Sequence, residues 1–317
     1  MISDRRKRSV ILFSTARLPH PLRVALRERL LARLELARAR RAALLVIGHP
    51  KSGNTWLRTM VSRLYHVRHA LDPTVVVKSD ELALAHPAAP RLLATNGSYS
   101  YEGVIGRMLA ADAPLTDLHQ KPAVLLIRHP CDIAVSWYLQ FTKRQSAAKR
   151  ELINHSIAHP IGHRTISMWD FVRHSDIGLP FLIDYLSAWE RNVARMPRAI
   201  TVRYEELRAR PAATLRRVVD LLDPSFTTPE IEDAVAFGSF DNLRRLEAAG
   251  FFRRGGLALR NPGDPGAFKV RRGKVGGYRD YFSPEQVAEL DALVTAGLSP
   301  TLGYGSAAPL PETSAGR

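Results

Sequence analysis

The segment Ile47–Trp56, IGHPKSGNTW, nearly spells G-x-x-x-x-G-K-[ST] when read from Gly48. Gly53 and Thr55 fall on time, but Asn54 stands where the lysine belongs and Lys51 sits earlier in the loop. Glycines so spaced let backbone N–H groups and a helix N-terminus face a phosphate. Asparagine offers no cation, so the charge would have to come from Lys51. The loop is either a tight turn that starts a helix or a cradle for a phosphate ester other than ATP. A second segment, IRHPCDIAVSWY, places Arg128 and, eight residues on, Ser136. A helix beginning near His129 would carry Ser136 about two turns in, facing back toward Arg128. Guanidinium and hydroxyl then make a second phosphate clamp; the plainer reading is an arginine capping carbonyls and a serine bonded within its helix. A third run, VRRGKVGGYRDYFS, sets Arg271, Arg272, Gly273 and Lys274 among glycines. It reads as a solvated loop or as a cap whose cations close over an anion.

These residues need elements to hold them. Short apolar runs at Ala43–Ile47, Arg91–Thr95, Ala123–Ile127 and Ala199–Tyr204 alternate with helical stretches. Runs without period-2 alternation, separated by helices, predict an α/β fold whose parallel sheet is buried on both faces. In such sheets ligands sit beyond the carboxyl ends of the strands, where the Gly48–Gly53 loop and Arg128 both fall. Glycines and prolines crowd residues 250–277, a long functional loop or lid. SPEQVAELDALV begins a last helix with a serine cap, and residues 301–317 read as a flexible tail.

Composition excludes several classes. The longest apolar runs fall far short of the roughly 20 residues of a membrane span, and VILF after RRKR is too short for a secretory signal. One cysteine, Cys131, permits no internal disulfide, fits a reducing cytoplasm and reads as a core residue. The net charge is +16, and residues 1–42 carry twelve Lys/Arg against three acids. This arm contains a basic amphipathic helix over 21–43 with a Leu22, Leu26, Leu30, Leu34 stripe. It can pack on its own domain, lie on an anionic inner membrane face or make a homodimer contact. Because the charge is concentrated there, no nucleic-acid partner is expected.

Together the three segments resemble the cytosolic-type sulfotransferases, which use 3′-phosphoadenosine 5′-phosphosulfate (PAPS). PKSGNTWL is similar to their 5′-phosphosulfate loop, RHPCDIAVSWY to their 3′-phosphate segment and RRGKVGGYRDYF to their cofactor cap. VRYEEL and GSF resemble two further landmarks, and all stand in family order over residues 43–282. The resemblance implies a P-loop-like three-layer domain over residues 43–300, with a central parallel sheet flanked by helices. It implies metal-independent transfer of a sulfo group to an acceptor hydroxyl or amine of a small molecule or lipid. The product would be adenosine 3′,5′-bisphosphate (PAP).

By the same resemblance Lys51 would neutralise the bridging oxygen, while the backbone of Ser52, Gly53, Asn54 and Thr55, with the Thr55 hydroxyl, holds the 5′-phosphate. Trp56, Tyr204 and Phe240 would frame the adenine, and Ser239, in the GSF landmark, joins the cofactor-binding set. Arg128, Ser136, Arg271, Arg272 and Gly273 would take the 3′-phosphate, with Ser136 also restraining Lys51. The family's histidine base, however, is replaced by Asn96, which accepts no proton at neutral pH. Glu102 is the substitute base, with Asp80, His86 and His119 as alternatives. An inactive nucleotide- or membrane-binding protein and an ATP-dependent P-loop kinase are the competing functions; the missing lysine at Asn54 argues against the second. His155, His159 and His163 have a metal-ligand spacing, but Pro160 interrupts the helix this would need. Trp169, Phe171, Phe181 and Trp189 read as core, or as the lining of an acceptor pocket.

Overall fold

A computed structural model describes residues 2–161, 166–253, 257–258 and 273–304. Four strands, β1 (Leu44–Ile47), β2 (Leu92–Thr95), β3 (Ala123–Ile127) and β4 (Ala199–Arg203), form one sheet in the order β2-β1-β3-β4. Every pairing is parallel, with Val46 opposite Ala94 and Val124, and Leu125 opposite Thr201. Successive side chains point to opposite faces. Leu45, Ile47, Leu93, Leu125 and Ile127 enter one core cluster, while Leu44, Val46, Leu92, Val124, Leu126 and Val202 enter another. Both faces are covered, so the strands read as unbroken apolar runs.

The helices that concern the site are α1 (Asp4–Ser14), α2 (His20–Arg41), α3 (Asn54–Arg68), α4 (Glu81–Ala85), α5 (Gly103–Met108), α6 (Pro130–Lys143) and α7 (Ala147–His155). α1 begins at Ser3, whose hydroxyl accepts from the Arg6 N–H, with Asp4 in the first turn. α2 opens with proline in its first turn, as its sequence indicates. Its buried face differs from the leucine stripe: Val24, Arg27, Leu31, Glu35 and Ala39 are buried, whereas Leu22 is exposed. That face is partly polar because ion pairs dock it. Arg23 and Arg27 both reach Glu151 on α7, at 2.5 and 3.0 Å. Arg41 reaches Asp4 at 2.9 Å, and Arg38 donates to the Ser79 hydroxyl, which donates in turn to Asp4. Several arginines of the arm are therefore spent on internal pairing.

Among the described residues no helix is long and apolar enough to cross a membrane. Residues 301–304 are packed: Leu302 is buried and the Tyr304 hydroxyl donates to Glu205 at 2.7 Å. Cys131 lies in the core, where burial pushes its thiol well up. α7 ends at His155; His159 lies outside it beside Asp176, and His163 lies outside the described residues. Phe171 and Trp189 are core residues.

Candidate active site

Connections from β1 run out to β2 on one side and back across to β3 on the other, so the strand order reverses between β1 and β3. A crevice opens there, beyond the carboxyl ends of adjacent strands. The loop after β1 and Arg128 after β3 meet in it, on a cavity of about 780 Å³. That is ample for a nucleotide with a second small molecule.

The loop is shaped by local constraints. Lys51 is held at φ 84, a left-handed conformation that costs a lysine energy and turns the chain sharply. Gly53 follows at φ 105, and a Cβ there would come within 2.9 Å of the Tyr204 ring. Asn54, at the position of the missing lysine, donates from its side-chain amide to the Gly48 carbonyl at 2.8 Å. It ties the loop shut instead of supplying charge. The Ser52 N–H donates to the His49 carbonyl, and the buried Ser52 hydroxyl has no hydrogen-bond partner. Ser52 thus shapes the loop from within and does not line the cavity, whereas Lys51, Gly53, Asn54, Thr55 and Trp56 do. His49 sits wholly buried among Trp137, Tyr185, Phe181 and Tyr99, and burial pushes its imidazole down to about 3.

Arg128 stitches one end of the cavity together. Its guanidinium lies 4.4 Å from the centre of the Tyr204 ring, donates to the Lys274 carbonyl at 3.0 Å and reaches the Lys51 carbonyl at 3.5 Å. Its Nε is buried without a partner. An unpartnered buried guanidinium nitrogen beside a positively charged loop suits an anion. Ser136, on α6, lines the same cavity. Trp56 and Tyr204 meet edge to face at 5.6 Å, and the Trp56 indole donates to the Gly238 carbonyl at 2.7 Å. Gly273 lies against the Phe240 ring, and its carbonyl accepts from the Tyr204 hydroxyl at 3.3 Å. Ser239 departs from expectation: it does not line the cavity, because its hydroxyl accepts from the Asn242 N–H and caps the helix that begins at Phe240. Arg271 and Arg272 lie outside the described residues.

Asp132 was missed in the sequence. It pairs with Arg128 at 3.2 Å and accepts from the Gly276 and Tyr278 N–H groups, both at 3.0 Å, fastening the 273–278 segment to α6. Its position four residues after Arg128, in a first helical turn, was the available signal.

The opposite end holds Asn96 and Glu102. The Asn96 carbonyl is fixed by the Tyr185 hydroxyl at 2.6 Å, and its amide donates to Glu102. Lys149 pairs with the other Glu102 oxygen at 3.0 Å. Burial works to raise this carboxyl's pKa, but Lys149, Lys78 and the Asn96 amide outweigh it and hold it below the usual range. The alternative bases are elsewhere. Asp80 accepts from the Asp4 N–H, His86 stacks on His69 at 4.3 Å, and His119 forms a capping box with Thr116. None lines the cavity, because each is engaged in holding the ends of α1, α3 or the 116–120 turn.

The sulfotransferase domain family matches residues 41–301. The chain belongs to the sulfotransferase family. Cytosolic sulfotransferase 13 of Arabidopsis thaliana is 27% identical over 271 residues, covering 80% of this chain and 76% of the relative. Mouse sulfotransferase SULT7A1 complexed with PAP superposes with a TM-score of 0.51 at 18% identity, covering 80% of this chain and 83% of that one. Retinol dehydratase in complex with androsterone and inactive cofactor PAP gives 0.55 at 16% identity, covering 84% and 82%. The P-loop-like layered architecture expected of the sequence is thus the one this sulfotransferase has.

Proposed function

We propose that this sulfotransferase binds its donor with the two strand-end loops and passes the sulfo group to an acceptor hydroxyl or amine at the Asn96–Glu102 end. The donor is PAPS and the product PAP; bound, PAPS supplies a sulfo group on a good phosphate leaving group. The N–H groups of Gly53, Asn54 and Thr55, at the start of α3, face the 5′-phosphate, and Lys51 neutralises the oxygen that leaves. Arg128 and Ser136, with Gly273 and the adjoining Arg271 and Arg272, take the 3′-phosphate. Trp56, Tyr204 and Phe240 frame the base. Ser136 restrains Lys51 until the acceptor arrives. Glu102, positioned by Asn96, accepts the acceptor's proton. A carboxylate of low pKa suffices if the O–S bond forms first, since that makes the hydroxyl acidic.

The observation that carries this reading is the convergence of Arg128, the Lys51 loop and the Gly273–Lys274 segment at the switch point. An ATP-dependent kinase fits less well, because Asn54 is tied to Gly48 where a kinase loop needs its lysine. Thermal melting with PAP, against ADP plus Mg²⁺, tests the choice. At 100 times its dissociation constant a ligand adds about 2.7 kcal/mol. A shift with PAP that disappears in Arg128→Ala is expected; equal shifts, or one with ADP alone, would sink the reading. PAP binding without sulfo transfer to any acceptor would leave an inactive binder.

The same proposal places the enzyme in the cytoplasm with residues 1–42 at an anionic membrane face. Val10 and Phe13 are 64% and 83% exposed, beside the exposed Arg6 and Arg17. Binding to phosphatidylglycerol vesicles that vanishes on deleting residues 1–18 is expected; loss of a dimer instead would make the arm an oligomer contact.

A further inference from the structure

α1 does more than cover the domain: Arg8 reaches the wall of the active-site cavity. It joins Lys78, which precedes α4, and Lys149 of α7, three cations from three distant parts of the chain. The acids nearby are already committed. Glu102 is held by Lys149 and Asn96, and Glu35 pairs with Arg38 at 2.8 Å. Glu81 accepts from the Lys78 and Ser79 N–H groups, and Asp4 pairs with Arg41. Among the described residues neither Arg8 nor Lys78 has a carboxylate within ion-pair distance, and the Arg8 Nε is buried without a hydrogen-bond partner. A buried guanidinium nitrogen left unpaired costs stability, and crowding cations together costs more. The crowding is felt at Lys78. Enclosure by the surrounding protein, then Arg38, Arg8 and Arg58, push its ammonium down to about 8 against the pull of Glu102. Lys78 nonetheless stays open to the water of the cavity, where an incoming group can reach it. The excess charge lies around Glu102, on which both Lys149 and Lys78 act, and not among the residues assigned above to the 3′-phosphate.

We infer that the acceptor is an anionic alcohol, whose phosphate or carboxylate is bound by Arg8 and Lys78 while its hydroxyl is presented to Glu102. This rests on the donor reading above and narrows its acceptor. The arm then has a second role, since Arg8 completes the acceptor site only while α1 is latched by Asp4.

The test uses the full chain with PAPS and three matched acceptor pairs that share a hydroxyl and differ in the anion. These are 4-hydroxyphenylacetate and 4-hydroxyphenylacetamide, glucose 6-phosphate and glucose, and phosphatidylglycerol and diacylglycerol in phosphatidylcholine vesicles. In at least one pair the anionic member should have the higher kcat/KM by about 10-fold or more, and should alone add to the melting temperature of the PAP-loaded protein. Losing one charged hydrogen-bonding partner corresponds to about 10- to 100-fold. That much of the preference should go in Arg8→Gln and in Lys78→Gln, carried by KM. A preference confined to the soluble pairs makes the ligand a free metabolite; one confined to the vesicles makes it a lipid headgroup. No preference or stabilisation by any anionic member overturns the inference, as does a preference that survives both substitutions. PAP binding with no anion preference would overturn this inference alone, whereas failure of PAP to bind would overturn the donor reading beneath it.

Discussion

The two ends of the active-site cavity are built on different principles. The end proposed for the donor is organised around main chain: a loop turned by Lys51 and Gly53, a helix start and the carbonyls that Arg128 gathers, with Trp56 and Tyr204 beside them. In the proposed reading its phosphate loop lies in one short run because main-chain N–H groups face the ligand there. The end proposed for the acceptor is made of side chains from α1, the 78 region, β2 and its following turn, and α7, linked by charge. Main-chain cradles demand particular spacings and glycines, and so leave motifs. Side-chain clusters demand only that distant residues arrive together, and so leave none.

Lys51→Ala separates the two ends most sharply. About 10²–10³-fold of kcat should go with the cation on the leaving oxygen, while the melting shift with PAP persists. An equal loss of PAP binding would make Lys51 a binding residue. Glu102→Gln should cost about 10²-fold in kcat with little change in donor affinity. Lys149 would be left unpaired in that variant, so its melting temperature must be followed alongside.

The pH profile distinguishes the proposed base from the family's histidine. A proton acceptor must be deprotonated, and the Glu102 carboxyl lies below the ordinary carboxylate range. Turnover should therefore stay level as pH falls from 8 to about 5, where an imidazole base would already fail near its usual 6.5. His49 cannot supply such a limb, being neutral down to about 3. A fall centred near pH 6.5 would remove Glu102 from the role.

Two smaller effects refine the contrast. Asp4→Asn should loosen α1, raising hydrogen exchange in residues 4–14 and weakening acceptor binding, yet leave the PAP shift intact. The Asp4 carboxyl is depressed in the folded protein: burial raises it, but Arg41, Ser79 and Arg38 outweigh that. Its contribution is therefore present above its ordinary 3.8 and lost only as pH falls through a still lower value. Asn54→Ala should cost about 1 kcal/mol, one hydrogen bond across the loop, visible as a small drop in melting temperature. No change would mean that the glycines alone set the loop.

The strands and the loops at their ends were largely legible. The apolar runs located all four strands within a residue or two, and the Arg128–Ser136 spacing anticipated a helix that presents both to one cavity. Spacing did not show that Ser52 and Ser239 stand off the cavity wall, because a serine beside a glycine can bind a ligand, shape a loop or cap a helix. The leucine stripe of α2 misled for a related reason. Hydrophobicity suggested an apolar face, but Glu151 and Asp4 draw the arginines inward and turn Val24, Arg27 and Leu31 toward the body.

Sequence by itself determined the layered parallel fold and the family, since each depends on local spacing that the chain carries wherever it goes. Only the tertiary structure decided what surrounds Glu102. Arg8, Lys78 and Lys149 are separated by some 70 residues at each step, and nothing in their local sequence sets them apart from other surface cations. They become a site because folding brings their charges to one wall of one cavity, and electrostatic interaction depends on distance in space, not on distance along the chain.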